Sequence, residues 1–317
     1  MIHALHKPLL LGREQRLVVV PGTSLAGVAA GLAQRGWMSK PWYFKLEARL
    51  RGRAGSLQAG EYAVTPGMTP LDLLDMLVAG RVMEHSLTLV EGWTFRRVME
   101  AVQSDPDLRH TLAESRPEYV MDALGRAGTF AEGRFFPDTY RFPAGTTDVE
   151  FLKRAFRSMN QVLSEEWEHR DMGLPYRSSY QALILASMVE KETAVPSERP
   201  RIAGVFVRRL ERGMKLQSDP TVIYALGAEF DGDIHRRDLK LDSPYNTYVH
   251  AGLPPTPIGL PGRASIEAAL HPANGSALYF VSKGNGTHKF SSTLSEHDAA
   301  VRKYQLKGHA APPRGRH

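Results

Sequence analysis

Apolar residues recur at helical spacing in the stretch SSYQALILASMVEKET, which runs from residue 178 to residue 193. Four side chains share one face of the helix that this spacing predicts: Ala182, Leu185, Met188 and Val189. Continued along the helix, the same face reaches Glu192. Ser178, with a glutamine three residues later, is typical of a helix start. The pattern therefore predicts an amphipathic helix whose apolar face ends in a carboxyl group.

Glu192 stands where a surface helix would carry leucine. A carboxyl group held against apolar side chains is harder to ionise, so we expect its pKa to be raised. Such a group stays protonated near neutral pH and can serve as a general acid. Glu190 is predicted to point away, with Ser187 and Lys191 on the polar side of the helix. The alternative interpretation is that the helix ends before Glu192, which would then be a solvated surface acid.

A short strand, a glycine turn and a helix capped by serine or threonine follow one another three times near the start of the chain. The strands are predicted at residues 16–20, 61–64 and 87–90, and the helices at residues 25–32, 71–77 and 98–102. The first two repeats predict a small α/β module over residues 16–83, and the third opens the next domain. Residues 1–15 are interpreted as a tail.

The remaining patterns predict a mixed, helix-rich α+β domain over residues 84–308, so the fold class of the whole chain is α+β. A periodic apolar run predicts a helix at residues 152–167. Two short apolar runs, at 278–281 and 288–290, flank a glycine turn and predict a β-hairpin. Residues 309–317 are predicted to form a disordered basic tail.

Composition excludes several kinds of chemistry. The 317 residues include no cysteine, which excludes disulfides, thiolate catalysis and cysteine-containing zinc sites. The formal net charge of +6 suits an anionic partner such as nucleic acid, a membrane surface or an acidic polymer. The alternative is an ordinary basic protein, because the positive residues are spread along the chain. No apolar run approaches the roughly 20 residues that a membrane span requires.

Common catalytic motifs are also missing from the sequence. There is no HExxH motif, no phosphate-binding glycine loop after a strand and no GxSxG motif, so neither a metal nor another cofactor is predicted. A carboxylate site remains. A standard glycosidase needs two carboxyl groups. Glu192 is a candidate acid, and Asp219 and Glu190 are both possible partners.

Several longer motifs then point to one family. They are ASMVEKET at 186–193, LQSDPTVIY at 216–224, YNTY at 245–248 and GLPP at 252–255. In this order they resemble the endolytic murein transglycosylase family, also called YceG-like, and the resemblance runs from about residue 17 to about residue 307. It implies a lytic transglycosylase, which cleaves the bond between N-acetylmuramic acid and N-acetylglucosamine in nascent peptidoglycan without water and so terminates strand elongation.

The resemblance also implies roles for particular residues. A single glutamic acid first protonates the leaving oxygen, and its carboxylate then takes the proton of the C6 hydroxyl, which closes a 1,6-anhydro ring. We assign this role to Glu192, with Glu190 as the competitor. Residues predicted to bind the sugar or orient the glutamate are Glu190, Gln217, Ser218, Asp219, Tyr245, Asn246 and Tyr248.

Further expectations follow from the family. The module at residues 16–83 is expected to be LysM-like and to bind peptidoglycan. Expected partners are peptidoglycan glycan strands and glycan polymerases or penicillin-binding proteins, and no nucleic acid. The family is usually anchored in the inner membrane by an N-terminal helix and faces the periplasm, whereas this sequence shows no such helix. The alternative function is a non-catalytic peptidoglycan-binding or scaffold protein of the cell-wall machinery.

Overall fold

A computed structural model describes residues 6–306, which divide into two compact units. The first unit combines the described residues up to Leu87 with Asp105–Thr111 and Tyr140–Asp148. The second unit combines Thr88–Ser104 and Leu112–Thr139 with the described residues from Val149 onwards. The tail predicted at 309–317, and the first five residues of the tail predicted at 1–15, lie outside the described residues.

The first unit is built on a strand–helix–helix–strand order. Its elements are β1 (Gln15–Val19), α1 (Leu25–Gln34), α2 (Pro41–Leu50), β2 (Gly60–Val64), α3 (Pro70–Ala79) and β3 (Glu84–Thr88), and β3 pairs with β4 (Thr139–Pro143). Strands β1 and β2 are antiparallel, with Leu17 opposite Tyr62. Both side chains are buried with the apolar faces of the helices. A small core thus forms on one side of a two-stranded sheet.

Two features of this unit differ from the sequence-based expectation. Helix α2 was not predicted, although Pro41 at its first turn is a typical start signal. Strand β3 covers Glu84–Thr88, whereas the apolar run at 87–90 had suggested a later strand. The cause is that β3 is half exposed and mostly polar, so apolar content does not mark it. The predicted module boundary at residue 83 and its LysM-like character stay predictions.

The second unit is helix-rich. Its elements are α4 (Phe95–Ser104), α5 (Pro117–Ala123), α6 (Asp148–Glu168), α7 (Ser179–Glu192), α8 (Arg199–Glu211), α9 (Asp219–Leu226), α10 (Arg263–Leu270), β5 (Tyr279–Ser282), β6 (His288–Ser291) and α11 (Leu294–Val301), followed by a π-helical turn at Arg302–Leu306. The predicted hairpin is confirmed, because β5 and β6 are antiparallel with Phe280 opposite Phe290. The helices and short antiparallel strands confirm the α+β class.

Helix α7 lies in the middle of the second unit's core. It begins after Ser178, whose side chain accepts a hydrogen bond from the Gln181 backbone, as the capping pattern predicts. Every residue from Ala182 to Val189 is buried, and α8 and α10 pack against the helix. The prediction of an amphipathic helix with Ser187 on a polar side was therefore wrong. An enclosed helix has no solvent face, so its periodicity cannot identify one.

Ser187 illustrates how a polar residue is accommodated there. It is fully buried, and its hydroxyl donates to the Ile184 carbonyl at 2.7 Å while accepting from the Ile258 backbone N–H at 3.0 Å. The side chain thus joins α7 to the loop that precedes α10. Among the helices of residues 6–306, none combines the length and the apolar character that crossing a bilayer would require.

We predict that Ser187→Ala lowers the free energy of unfolding by about 1–3 kcal/mol, because it leaves the buried Ile258 N–H without an acceptor. Ser197→Ala, at an exposed serine, is the control and should change stability by less than about 0.5 kcal/mol. Chemical denaturation of both variants measures the difference. Equal stability of the two would show that the Ser187 bridge contributes nothing.

Candidate active site

Glu192 is the last residue of α7, where the buried helix reaches the surface of the second unit. Its Oε1 accepts a hydrogen bond of 2.5 Å from the hydroxyl of Ser218, which immediately precedes α9. The residue is partly exposed, whereas Ser218 is 1% exposed. Ser218 therefore holds one oxygen of the carboxyl group, and the residue remains partly accessible to solvent and ligands.

The ionisation of Glu192 is shifted towards neutral pH. Burial raises its pKa to about 7, the hydrogen bond from Ser218 lowers it, and the negative charge of Asp219 raises it. The predicted rise in pKa is thus confirmed, with burial as its largest cause. At this pKa the group exchanges a proton readily at neutral pH, as a general acid or base must.

A network of threonines holds Ser218 in place. The Ser218 backbone N–H donates to Thr247 Oγ1 at 3.0 Å, and Thr221 Oγ1 donates to the Ser218 carbonyl at 2.6 Å. The hydroxyls of Thr221 and Thr247 lie 2.9 Å apart, and all three residues are buried. Gln217, just before, has a φ of 52°, a left-handed conformation that is uncommon for residues other than glycine. The turn is thus held in a sparsely populated geometry at the candidate site.

Asp219 and Tyr248 form the next pair along the site. The Tyr248 hydroxyl donates to Asp219 Oδ1 at 2.5 Å. Burial first, and then the negative charge of Asp219, raises the pKa of Tyr248, so the phenol stays protonated and keeps donating. Glu192, the Ser218–Asp219 pair and Tyr248 come from three separate sequence motifs that were predicted to lie at one site. The hydrogen bonds confirm that these residues converge.

These residues open into a cleft of about 270 Å³. One side consists of Glu192, Gln217, Asp219 and Tyr248. The remaining lining residues belong to the β5–β6 hairpin, to α11 and to the π-helical turn after it: Phe280, Val281, Ser282, His288, His297, Val301 and Gln305. Sequence reasoning missed this second side, because residues in a predicted hairpin carried no motif that linked them to the glutamate.

His288 is fixed in the cleft by Glu198, at the start of α8. Glu198 accepts from the His288 backbone N–H at 2.9 Å and contacts His288 Nδ1 at 2.7 Å. Burial raises the pKa of Glu198, but the hydrogen bonds from His288 outweigh it and leave that pKa below its usual value. The pair joins the hairpin to the start of α8 and so holds His288 at the lining of the cleft.

Glu190 is not in this cleft. Its carboxylate accepts from Arg199 Nη2 at 3.3 Å and from the Gly262 backbone N–H at 2.9 Å, with its side chain only 6% exposed. The expectation of a polar, solvated side was wrong for this residue, because Arg199 and the loop before α10 cover it. The geometry shows Glu190 bound internally, so its predicted contact with the sugar and its role as the competing acid have no support in this arrangement.

Tyr245 and Asn246 are also engaged elsewhere. The Tyr245 hydroxyl lies 2.9 Å from Thr256 Oγ1, and its ring packs on Tyr224 with centroids 4.9 Å apart. Asn246 is fully buried, and its Nδ2 donates to the carbonyl of Leu241 at 2.9 Å. The two side chains shape the loop that carries Tyr248. Their predicted contact with the sugar has no support in this geometry.

Comparison with known proteins agrees with the motifs. The model of the YceG-like family matches residues 17–303. This chain belongs to that family. Its relatives include a protein of Bacillus subtilis (strain 168) named endolytic murein transglycosylase. The two are 32% identical over 300 residues, which cover 89% of this chain and 82% of the relative.

Two further matches support the assignment of this YceG-like protein. An endolytic murein transglycosylase of Streptococcus pneumoniae serotype 2 is 28% identical over 322 residues, which cover 88% of this chain and 56% of the relative. A crystal structure of a putative yceG-like protein from Listeria monocytogenes superposes with a TM-score of 0.57 at 27% identity, covering 90% of this chain and 98% of that one.

The YceG-like chain holds a second carboxyl group of raised pKa, which sequence reasoning missed. Burial raises the pKa of Glu132 to about 7, against hydrogen bonds from the Phe95 backbone and the Tyr224 hydroxyl. Those two bonds, at 2.9 and 3.0 Å, occupy one oxygen each. Both oxygens of Glu132 are thus held by protein donors, whereas Glu192 has one such bond and lines an open cleft. Within residues 6–306, no group of three potential metal ligands converges.

The raised pKa gives this YceG-like protein a testable pH dependence of stability. Between the ordinary carboxyl pKa of 4.5 and about 7, the unfolded chain loses the Glu192 proton while the folded chain keeps it, so burial of Glu192 costs stability as the pH rises. We predict that Glu192→Gln removes this cost. The free energy of unfolding of the variant minus that of the wild type should increase from pH 4 to pH 8 by on the order of 1–3 kcal/mol. This range takes into account that Glu192 is partly exposed, which weakens the effect of burial.

Denaturation curves at each pH measure this difference. Glu267→Gln, at an exposed carboxyl on α10, is the matched control for the loss of one carboxyl group, and the rise with pH should be larger in Glu192→Gln than in this control. A rise in Glu192→Gln no larger than in the control would mean that Glu192 ionises as freely in the folded chain as in the unfolded one.

Proposed function

We propose that this protein is an endolytic lytic transglycosylase that cleaves bonds between N-acetylmuramic acid and N-acetylglucosamine in nascent peptidoglycan and thereby ends strand elongation. The names of the relatives support the activity. The observation that carries the mechanism is one carboxyl group with a pKa of about 7, held by Ser218 on one oxygen and facing a cleft.

The first step uses Glu192 as an acid. Ser218 donates to Oε1, so the proton of the neutral carboxyl group is available on Oε2. Transferred to the glycosidic oxygen, it allows the bond to C1 of the muramic acid to break with that oxygen leaving as a hydroxyl. Positive charge then develops at the sugar ring. Asp219 lines the same cleft, and its negative charge favours this cationic state.

The second step uses the same residue as a base. The Glu192 carboxylate, now stabilised by the Ser218 hydrogen bond, takes the proton of the C6 hydroxyl, and O6 bonds to C1. The product is a 1,6-anhydro ring, Glu192 is protonated again, and no water is consumed. One carboxyl group therefore suffices, which agrees with Glu190 being bound internally to Arg199. A hydrolysing enzyme would need a second carboxyl group to activate or replace water. Asp219 also lines the cleft, but its carboxylate accepts the hydrogen bond of the Tyr248 hydroxyl, and we assign it the role of favouring the cationic state.

We also propose that residues 16–83 act as a LysM-like, peptidoglycan-binding module, and that the protein works at the periplasmic face of the inner membrane beside glycan polymerases such as penicillin-binding proteins. The family resemblance supports these assignments. In the module, Trp42 is 50% exposed and stacks on Tyr43 with ring centroids 3.7 Å apart. An exposed tryptophan ring of this kind suits the apolar face of a sugar ring.

We predict that Glu192→Gln keeps the fold and the binding of glycan strands and lowers turnover by at least about 10²-fold, because glutamine keeps the shape but transfers no proton. Glu132→Gln is the matched control, since it removes another carboxyl group whose pKa is about 7. It should retain turnover within about tenfold of the wild type. Release of soluble fragments from purified sacculi, followed by mass spectrometry, measures both variants.

Three other results would contradict parts of this proposal. Loss in Glu132→Gln alone would transfer the acid–base role to Glu132. Loss in Glu190→Gln at unchanged stability would restore Glu190 as the acid. Binding of sacculi by the wild type with no fragments released would favour the non-catalytic scaffold.

A further inference from the structure

A second compartment of about 340 Å³ adjoins the Glu192 cleft. The two share four lining residues: Gln217, Tyr248, Phe280 and His297. Beyond this shared wall, the second compartment is lined by Arg209, Leu216, Tyr279, Leu294 and Asp298. A substrate group attached to a sugar in the cleft would therefore pass Gln217 and Tyr248 to enter it.

Arg209 is the unusual residue of this compartment. It projects from α8 and is only 6% exposed. Its Nε donates to the Leu278 carbonyl at 2.6 Å, and Nη1 donates to the Leu216 carbonyl at 2.9 Å and to Gln217 Oε1 at 3.2 Å. Within residues 6–306, the remaining nitrogen, Nη2, makes no hydrogen bond, and it is not sealed from solvent. One guanidinium nitrogen is thus left for a ligand in the compartment.

The charge of Arg209 is also not paired with a carboxylate of residues 6–306, and its guanidinium carbon lies 5.0 Å from the centroid of the Tyr279 ring, a cation–π contact that compensates the charge only in part. All the acceptors that it meets are neutral carbonyl or amide oxygens, and no carboxylate pairs with it among the described residues. Burial lowers the pKa of Arg209, which means that the surroundings disfavour the bare cation. Buried charges in proteins are normally paired, so the chemistry of this compartment favours an anionic ligand. The negative charge of Asp298, which lines the same compartment, opposes the binding of an anion. Asp298 is exposed, however, and its charge is screened by water.

We propose that this compartment binds a carboxylate carried by the lactyl arm of the muramic acid whose bond is cleaved, through Nη2 of Arg209. The inference rests on the proposed function, and it adds which part of the substrate this compartment recognises. Of the two sugars in a glycan strand, muramic acid carries the acidic arm. The carboxylate has two sources: the lactyl group itself in strands without peptides, or the peptide attached to it.

The competing explanation is that Arg209 only fixes the turn before Ser218, through its bonds to Leu216 and Gln217. Replacing Arg209 does not separate the two, because any substitution also releases the turn. Changing the substrate separates them, since a purely structural arginine is indifferent to the charge of the ligand.

The first test is therefore binding of glycan oligosaccharides to the Glu192→Gln variant of the 317-residue chain, which removes turnover from the measurement. Two preparations are compared, strands with peptides and strands stripped by an amidase, each with its carboxylates free or converted to methylamides. We expect the free carboxylate to bind at least about tenfold more tightly in one of the two preparations, the scale of a charge-assisted hydrogen bond to a buried arginine. The preparation that shows the difference identifies the source.

A variant pair tests where the charge is sensed. Asp298→Asn removes the opposing charge from the rim and should raise the preference for the free carboxylate by about twofold or more at low salt. Asp233→Asn removes the same charge from an exposed position that lines neither compartment and should leave the preference as it was. An equal increase of this preference in both variants would show that it depends only on the net charge of the protein, and would overturn the assignment to this compartment.

The inference and the proposed function fail in different ways. Equal binding of free and amidated strands in both preparations overturns the carboxylate site, even where the wild type releases anhydro-ended products. A tenfold preference in a protein whose wild type releases no such products upholds the carboxylate site and rejects the transglycosylase.

Discussion

The second unit depends on one helix whose middle is enclosed by protein on every side. Helix α7 is buried from Ala182 to Val189, and its chain leaves the core at Glu192. A carboxyl group at that point loses most of its hydration, and its pKa rises to about 7. The Ser218 hydrogen bond favours the ionised form, whereas burial favours the neutral one. Because burial outweighs the hydrogen bond and brings the pKa close to neutral pH, one residue can give a proton and then take one back.

Much of this arrangement can be predicted from the sequence. The serine cap and apolar periodicity locate α7 almost to the residue, and the glycine turn between two apolar runs locates the hairpin. These signals are local, so no knowledge of the fold is needed to interpret them. The meeting of Glu192 with Ser218 is a long-range contact, and it was predicted only because the motifs resemble those of a family. Periodicity alone left a solvated Glu192 as an open alternative.

The errors have a common cause, which is that polarity in a sequence does not show whether a partner will cover a side chain. Ser187 and Glu190 were expected to face solvent, but the loop around Ile258 and Gly262 supplies backbone partners to both. Glu132 lies outside every recognised motif, and its raised pKa depends on distant neighbours, of which Tyr224 is one. Such residues are determined by packing, which becomes visible only once the helices are assembled.

The central claim is that a single carboxyl group completes the reaction without water, and an isotope experiment tests it directly. Peptidoglycan sacculi are digested with the wild-type protein in ¹⁸O-labelled water, and the new saccharide ends are analysed by mass spectrometry. The account predicts 1,6-anhydro ends that contain no ¹⁸O, because O6 of the same sugar attacks C1. Reducing ends that carry ¹⁸O would show that water is the nucleophile and would contradict it.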